Sequence, residues 1–168
     1  MNTKKQDASV DTSFWINAYR VGVLGHIRKY FTLYVNSEVV REIMYPIDRL
    51  GISAEDALIF QEWERQGVIR TTDPVRIKAK FRLGESLAID LARERGFVLL
   101  IDNGVPFRYA QMRGLEVICT PVFVALLFAD GELTAEEAVE KLDRLSGLIQ
   151  NDLLGRGEAV VSRLRGDK

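Results

Sequence analysis

Four carboxylates, Asp11, Glu42, Glu85 and Asp102, fall where candidate strands hand over to candidate helices, each in or beside an apolar stretch. Acids gathered without cations repel one another: two unit charges about 4 Å apart cost roughly 4 kcal/mol at an effective dielectric near 20. These four therefore either stand apart or share a divalent metal ion. An oxygen-only donor set with no His or Cys cluster suits Mg²⁺ or Mn²⁺. The one histidine, His26 in Gly25-His26-Ile27-Arg28, reads as a surface helix residue rather than a ligand. The one cysteine, Cys119, lies in the apolar run Leu115-Glu116-Val117-Ile118-Cys119, which excludes a disulfide framework or a Cys-based zinc site within one chain.

Each acid also has a plainer explanation. Asp102 ends Phe97-Val98-Leu99-Leu100-Ile101 and could cap a helix beginning at Asn103, since Asp is a favoured N-cap. Glu85 follows Gly84 in what reads as a first helical turn, where the helix dipole favours an acid. Glu42, within Val39-Val40-Arg41-Glu42-Ile43-Met44, could simply face solvent from a helix. Against these stands the rule that open α/β sheets collect ligands beyond the carboxyl ends of their strands, where Asp11 and Asp102 fall.

The elements that must position these acids read as an α/β domain. Short β-branched runs at 8–11, 32–36, 68–71, 97–101 and 115–119 alternate with stretches of helical period, the pattern of βαβ units and a parallel sheet. Ser37 is placed to cap a helix over 38–44, Ser53 to head one over 54–66, and Thr134 with Glu137 to form a capping box before 138–145. Gly67, Gly96 and Gly114 each follow a helical stretch and precede a strand, where a left-handed residue ends the helix. The tail from Gly147 keeps Leu148, Ile149, Leu153, Val160, Val161 and Leu164, interrupted by Gly155 and Gly157, and predicts a docked or partner-binding C-terminal helix over 147–168.

With 168 residues, 47% apolar and 28% charged, the chain suits a single folded domain over 1–168 rather than a disordered one. A net charge of −1 gives no general pull toward nucleic acid, so a nucleic-acid contact would need a local basic patch. The polar opening through Asp7 has no signal-peptide pattern, so the mature protein is expected to start near residue 1 and to be cytoplasmic. The longest apolar run, 117–129, contains Pro121 and is shorter than the ~18 residues of a membrane span, so it reads as buried strand plus helix and no membrane partner is expected.

In order, the acid-bearing segments resemble the motifs of the PIN-domain nucleases. Asp11-Thr12-Ser13-Phe14-Trp15-Ile16 resembles the first motif, and Ser37-Glu38-Val39-Val40-Arg41-Glu42-Ile43 the second. Gly84-Glu85-Ser86-Leu87-Ala88-Ile89 with Ala92 and Gly96 resembles the third, in a PIN-like branch carrying Gly-Glu where VapC-type toxins carry Asp. Phe97 to Asp102 resembles the fourth, continued by Arg108, Ala110 and Gly114. The resemblance spans residues 8 to about 145. Asn103 departs from it, standing where many members of that branch carry a second acid.

The resemblance implies a three-layer α/β/α fold around a parallel sheet, and an Mg²⁺- or Mn²⁺-dependent ribonuclease. Asp11, Glu42, Glu85 and Asp102 would hold one or two ions and activate water for in-line attack on an RNA phosphodiester, leaving 5′-phosphate and 3′-hydroxyl ends. Thr12 and Ser13 would orient Asp11 through their hydroxyls, and Asn103 would be a neutral oxygen ligand or donor. It further implies the toxin half of a toxin–antitoxin pair, an antitoxin protein as partner, and a homodimer. For RNA grip, Arg76-Ile77-Lys78-Ala79-Lys80-Phe81-Arg82 supplies Arg76, Lys78, Lys80 and Arg82 just ahead of Glu85, and Arg108 follows Asp102 by six residues. The same alternation also describes a half-buried edge strand. Two other readings remain: a catalytically inactive PIN-like module that binds RNA or protein, and a Rossmann-type nucleotide binder suggested by Gly22-Val23-Leu24-Gly25. The second lacks a strand directly before those glycines.

Overall fold

A computed structural model describes residues 4–166, so residues 1–3 and 167–168 of the expected domain lie outside the described residues. Five strands, β1 (Gln6–Val10), β2 (Phe31–Val35), β3 (Ile69–Thr71), β4 (Val98–Leu100) and β5 (Val117–Ile118), form one parallel sheet in the order β3-β2-β1-β4-β5. Ala8 at the sheet centre aligns with Leu33 on one side and Val98 on the other. The middle of the sheet is buried on both faces, at Ala8, Ser9 and Val10 of β1 and throughout β4, as a parallel sheet between helices requires, while Gln6 and Asp7 of β1 and Arg70 and Thr71 of the edge strand β3 are exposed.

The described residues form nine helices: α1 (Thr12–Arg20), α2 (Leu24–Tyr30), α3 (Ser37–Leu50), α4 (Glu55–Arg65), α5 (Leu83–Arg95), α6 (Gly104–Met112), α7 (Thr120–Ala129), α8 (Ala135–Leu145) and α9 (Asn151–Arg165). The chain steps outward from β1 through β2 to β3, then crosses back through α5 to β4. Right-handed crossovers in these opposite directions put α1–α4 on one face and α5–α6 on the other, giving three layers. The reversal falls between β1 and β4. Their carboxyl ends are therefore the topological switch point, the usual ligand crevice of such a sheet.

All five expected strands form, with shifted ends. Asp11 does not close β1. Its amide bonds Leu100 O at 2.9 Å, but the chain turns there and its carboxylate caps α1. Ser37 does not cap α3: Asn36 does, accepting from Val39 N, while Ser37 donates its N–H and hydroxyl to Asp73. That helix runs on through Pro46 to Leu50 and ends at Gly51 in the left-handed region. Nor does Ser53 head α4, whose N-cap is Ala54 with no side-chain cap. The Thr134–Glu137 capping box forms, and Gly67, Gly96 and Gly114 all take positive φ.

The core anchors the first motif. Phe14 and Trp15 are fully buried, Trp15 meeting Phe60 and Trp63 edge-on at 5.3 and 5.6 Å and Phe14 lying 6.0 Å from Phe123. Burying each such ring stabilises by about 1.5–3 kcal/mol, enough to fix α1, and with it Asp11 and Ser13, on the sheet. The C-terminal helix is docked rather than free: α9 packs on α7 and α8, burying Leu153, Leu154 and Val161. Gly157 is required there, because a Cβ would stand 2.4 Å from the Pro121 carbonyl oxygen. No described helix is long and apolar enough to cross a membrane.

Candidate active site

Asp11 follows β1 at the switch point and is only 3% exposed. Ser13 donates both its amide (3.0 Å) and its hydroxyl (2.5 Å) to Asp11 Oδ2. Burial, with added repulsion from Glu85 and Glu42, nevertheless outweighs these bonds and pushes the carboxyl up to about 6. The Ser13 hydroxyl also accepts from the Asp102 amide at 3.0 Å, so one side chain ties the ends of β1 and β4 together.

Asp102 does not cap α6; Asn103 occupies that position, without a capping side-chain bond. The Asp102 carboxylate points instead at its neighbours. Thr120 N donates to Oδ1 (2.6 Å), while the Thr120 hydroxyl (2.7 Å) and Asn17 Nδ2 (2.8 Å) donate to Oδ2. At 6% exposure, desolvation still raises this group to about 6.

Glu42 is exposed on α3, yet it is more than a solvated helix residue. The Thr12 hydroxyl donates to Glu42 Oε2, so Thr12 orients Glu42 and not Asp11, which Ser13 holds among the described residues. Gly84 makes room for Glu42: a Cβ there would lie 2.9 Å from Glu42 Oε1. Asn36 sets that approach, capping α3 through Oδ1 and donating Nδ2 to the Gly84 carbonyl at 3.1 Å. Glu85, half-buried in the first turn of α5, accepts from Asn103 Nδ2 at 2.7 Å. A cavity of about 370 Å³ opens beside Glu42, lined also by Arg41, Tyr45 and Pro46. Larger cavities among the described residues line α8–α9 and the opposite sheet edge, away from these acids.

The basic segment is not an edge strand. Residues 72–82 form a loop held against α5 by two acids one helical turn apart. Lys78 N and Ala79 N donate to the buried Asp90 Oδ2 at 2.5 and 3.0 Å, and Val75 N and Arg76 N donate to Glu94 at 2.8 Å each. With its backbone so occupied, the loop leaves Arg76, Lys78, Lys80 and Arg82 exposed. Arg108 is also exposed, and its Nη1 pairs with Asp152 at 2.6 Å. His26 lies on α2 as expected, half-buried with Nδ1 3.4 Å from Glu132.

Sequence reasoning missed Asn17, Asn36, Asp90, Glu94 and Thr120. Thr120 was findable by the rule that singled out Asp11, a polar residue just past a strand. Asp90, a lone acid within Leu87-Ala88-Ile89-Asp90-Leu91-Ala92, was findable as a buried charge that must have partners.

The donor types fit a hard divalent ion, and the repulsion that Glu42 and Glu85 exert on Asp11 is a reason for one to bind. Among the described residues, however, no three His, Cys, Asp or Glu side chains are drawn together into a ready cage. Asp102 spends three of its roughly four lone-pair sites on Thr120 and Asn17, whereas both Ser13 bonds to Asp11 fall on one oxygen.

A parallel sheet of this order is a doubly-wound α/β frame, and the acids Asp11 and Asp102 follow its strands at the switch point. The sequence matches the family DUF3368, a PIN domain, over residues 8–159, and the chain belongs to that family. PIN domains are generally nucleases. Among solved structures the chain is similar to a domain of a functionally unknown protein from Methanocaldococcus jannaschii DSM 2661, at 20% identity and a TM-score of 0.48, covering 68% of this chain and 90% of that one. It is also similar to a PilT N-terminus domain protein from the hyperthermophilic archaeon Sulfolobus solfataricus P2, at 20% identity and a TM-score of 0.44, covering 67% and 86%. No curated protein matches the sequence.

Proposed function

We propose that this chain is an Mg²⁺- or Mn²⁺-dependent endoribonuclease that cuts RNA phosphodiesters to leave 5′-phosphate and 3′-hydroxyl ends. The observation that carries the reading is the environment of Asp11, a desolvated carboxylate at the switch point of a PIN domain, repelled by Glu42 and Glu85. Asp11, Glu42, Glu85 and Asp102 would hold the ion, Asp102 through the one lone-pair site that Thr120 and Asn17 leave it. A bound divalent ion would lower the pKa of water and stabilise charge on the transferring phosphoryl group.

The rest falls to the chain's own side chains. Ser13 fixes Asp11, Thr12 aims Glu42, and Asn103 holds Glu85 through its amide, adding no charge. Arg76, Lys78, Lys80 and Arg82 bind RNA phosphates along a loop that α5 keeps in place. By family likeness the chain acts in the cytoplasm as the toxin of a toxin–antitoxin pair, as a homodimer restrained by an antitoxin protein.

Purified chain incubated with single-stranded RNA and Mn²⁺ or Mg²⁺ should cleave it, and chelation should stop the reaction. Persistent cleavage by Asp11→Asn would refute the assignment of these acids. A second reading, a non-cutting PIN-like module for RNA or protein, draws on the engagement of Asp102 by three donors and on the uncharged Asn103. Calorimetry that finds no divalent-ion binding while RNA or partner binding persists would select it.

A further inference from the structure

Arg108 reaches back over the first turn of α6, the turn that directly follows Asp102 and Asn103. Its Nη1 would stand 3.0 Å from a Cβ built on Gly104, and the Gln150 amide lies over the same glycine, its Oε1 only 1.7 Å from that Cβ position. Gln150 is the N-cap of α9, and two residues on, Asp152 takes Arg108 Nη1 at 2.6 Å. One turn further along α9, the Arg156 guanidinium sits 5.0 Å from the Phe107 ring centroid. So three residues of the C-terminal helix seat it on α6 beside the carboxylate crevice.

We infer that Asp152 acts as a built-in phosphate mimic, occupying Arg108 at the rim of the site until an RNA phosphate displaces it. This rests on the endoribonuclease reading. Arg108 presents a planar fork suited to carboxylate and phosphate alike, so the two compete for the same donors. Both partners are about half exposed, at 45% and 46%, so the contact is open to exchange with a ligand and weak enough to break. A helix-dipole role for Asp152, an acid in the first turn of α9, needs no Arg108 and predicts a different outcome.

The test measures binding of a single-stranded RNA oligonucleotide in Ca²⁺, by full-length chain and by Asp152→Asn, Arg108→Gln, the double variant, and Glu158→Gln as a control for removing an acid from the same helix. Asp152→Asn should tighten binding about threefold, the scale of an exposed ion pair, and Arg108→Gln should weaken it. In the Arg108→Gln background the Asp152→Asn gain should vanish, and Glu158→Gln should change nothing. A gain that survives without Arg108, or that Glu158→Gln reproduces, is a general charge effect and overturns the inference. Independently of RNA, phenylglyoxal should modify Arg108 faster in Asp152→Asn, as mapped by mass spectrometry. An unchanged rate means the pair does not hold in solution and equally overturns it. If the rate rises but no variant binds RNA, the pair stands, Asp152 is no phosphate mimic, and the ribonuclease reading fails.

Discussion

Asp11 and Asp102 follow adjacent central strands at the carboxyl end of the sheet, both buried and both pushed up to about 6 by desolvation, yet they are held for different work. Asp102 is bound by three donors from two other elements, α7 and α1. Among the described residues Asp11 is held by its near neighbour Ser13, on one oxygen, and is repelled by two further acids. Equal burial therefore does not mean equal availability. One carboxylate ties the end of β4 to α7 and α1, and the other retains the capacity to accept a cation.

The largest effect that bears on this contrast is loss of activity. Asp11→Asn removes the least committed charge at the switch point and should lower cleavage by more than about a hundredfold with little loss of stability, because the amide still accepts from Ser13. RNA turnover and a thermal melt on the same preparation separate the two. A large drop in melting temperature with activity retained would reverse the roles assigned to the two acids.

Next in size is the stability of the other half. Thr120→Val deletes one donor to a buried carboxylate, and Asn17→Ala another, so each should cost about 1–3 kcal/mol in denaturant unfolding. Thr12→Val, which frees only the exposed Glu42, should cost well under that. Equal costs at all three positions would erase the distinction between a pinned acid and an available one.

The pH dependence sharpens the comparison further. Asp11 titrates near 6 when folded and near 3.8 when not, so between those values the folded state binds the extra proton. Stability from this group is thus greatest below about 4 and is lost as pH rises through about 6, a difference of order 2–3 kcal/mol. Asp11→Asn should therefore gain stability relative to the parent at pH 7.5 compared with pH 4.5, by chemical denaturation. Mn²⁺ at pH 7.5 should restore part of the parent's loss and do little for the variant.

How much of this was legible beforehand follows from range. The strand alternation, the capping box at Thr134 and the glycine helix ends are local signals and survive folding almost unchanged. Caps failed where two adjacent residues could serve: Asn36 outcompeted Ser37, which turned to Asp73 instead. The acids themselves could be picked out because a carboxylate past an apolar strand needs a reason. Their supports could not, since Asn17 and Asp102 are 85 residues apart and only the sheet order brings them together. The basic loop shows the same limit, for its pattern fits a strand until Asp90 and Glu94 take up its amides.

The smallest expected change concerns Gly84. An alanine there is good for helix α5, worth up to about 1 kcal/mol in propensity, and its backbone needs no positive φ. Its Cβ would come within 2.9 Å of Glu42 Oε1, and since that carboxylate ends an exposed, flexible side chain, the carboxylate will move rather than the backbone. Gly84→Ala should therefore leave the melting temperature equal or slightly higher while lowering cleavage several-fold, because Glu42 is displaced from Thr12 and from the face of Asp11. If activity is unchanged, Glu42 does not act from this position, and the available side of the contrast narrows to Asp11 and Glu85.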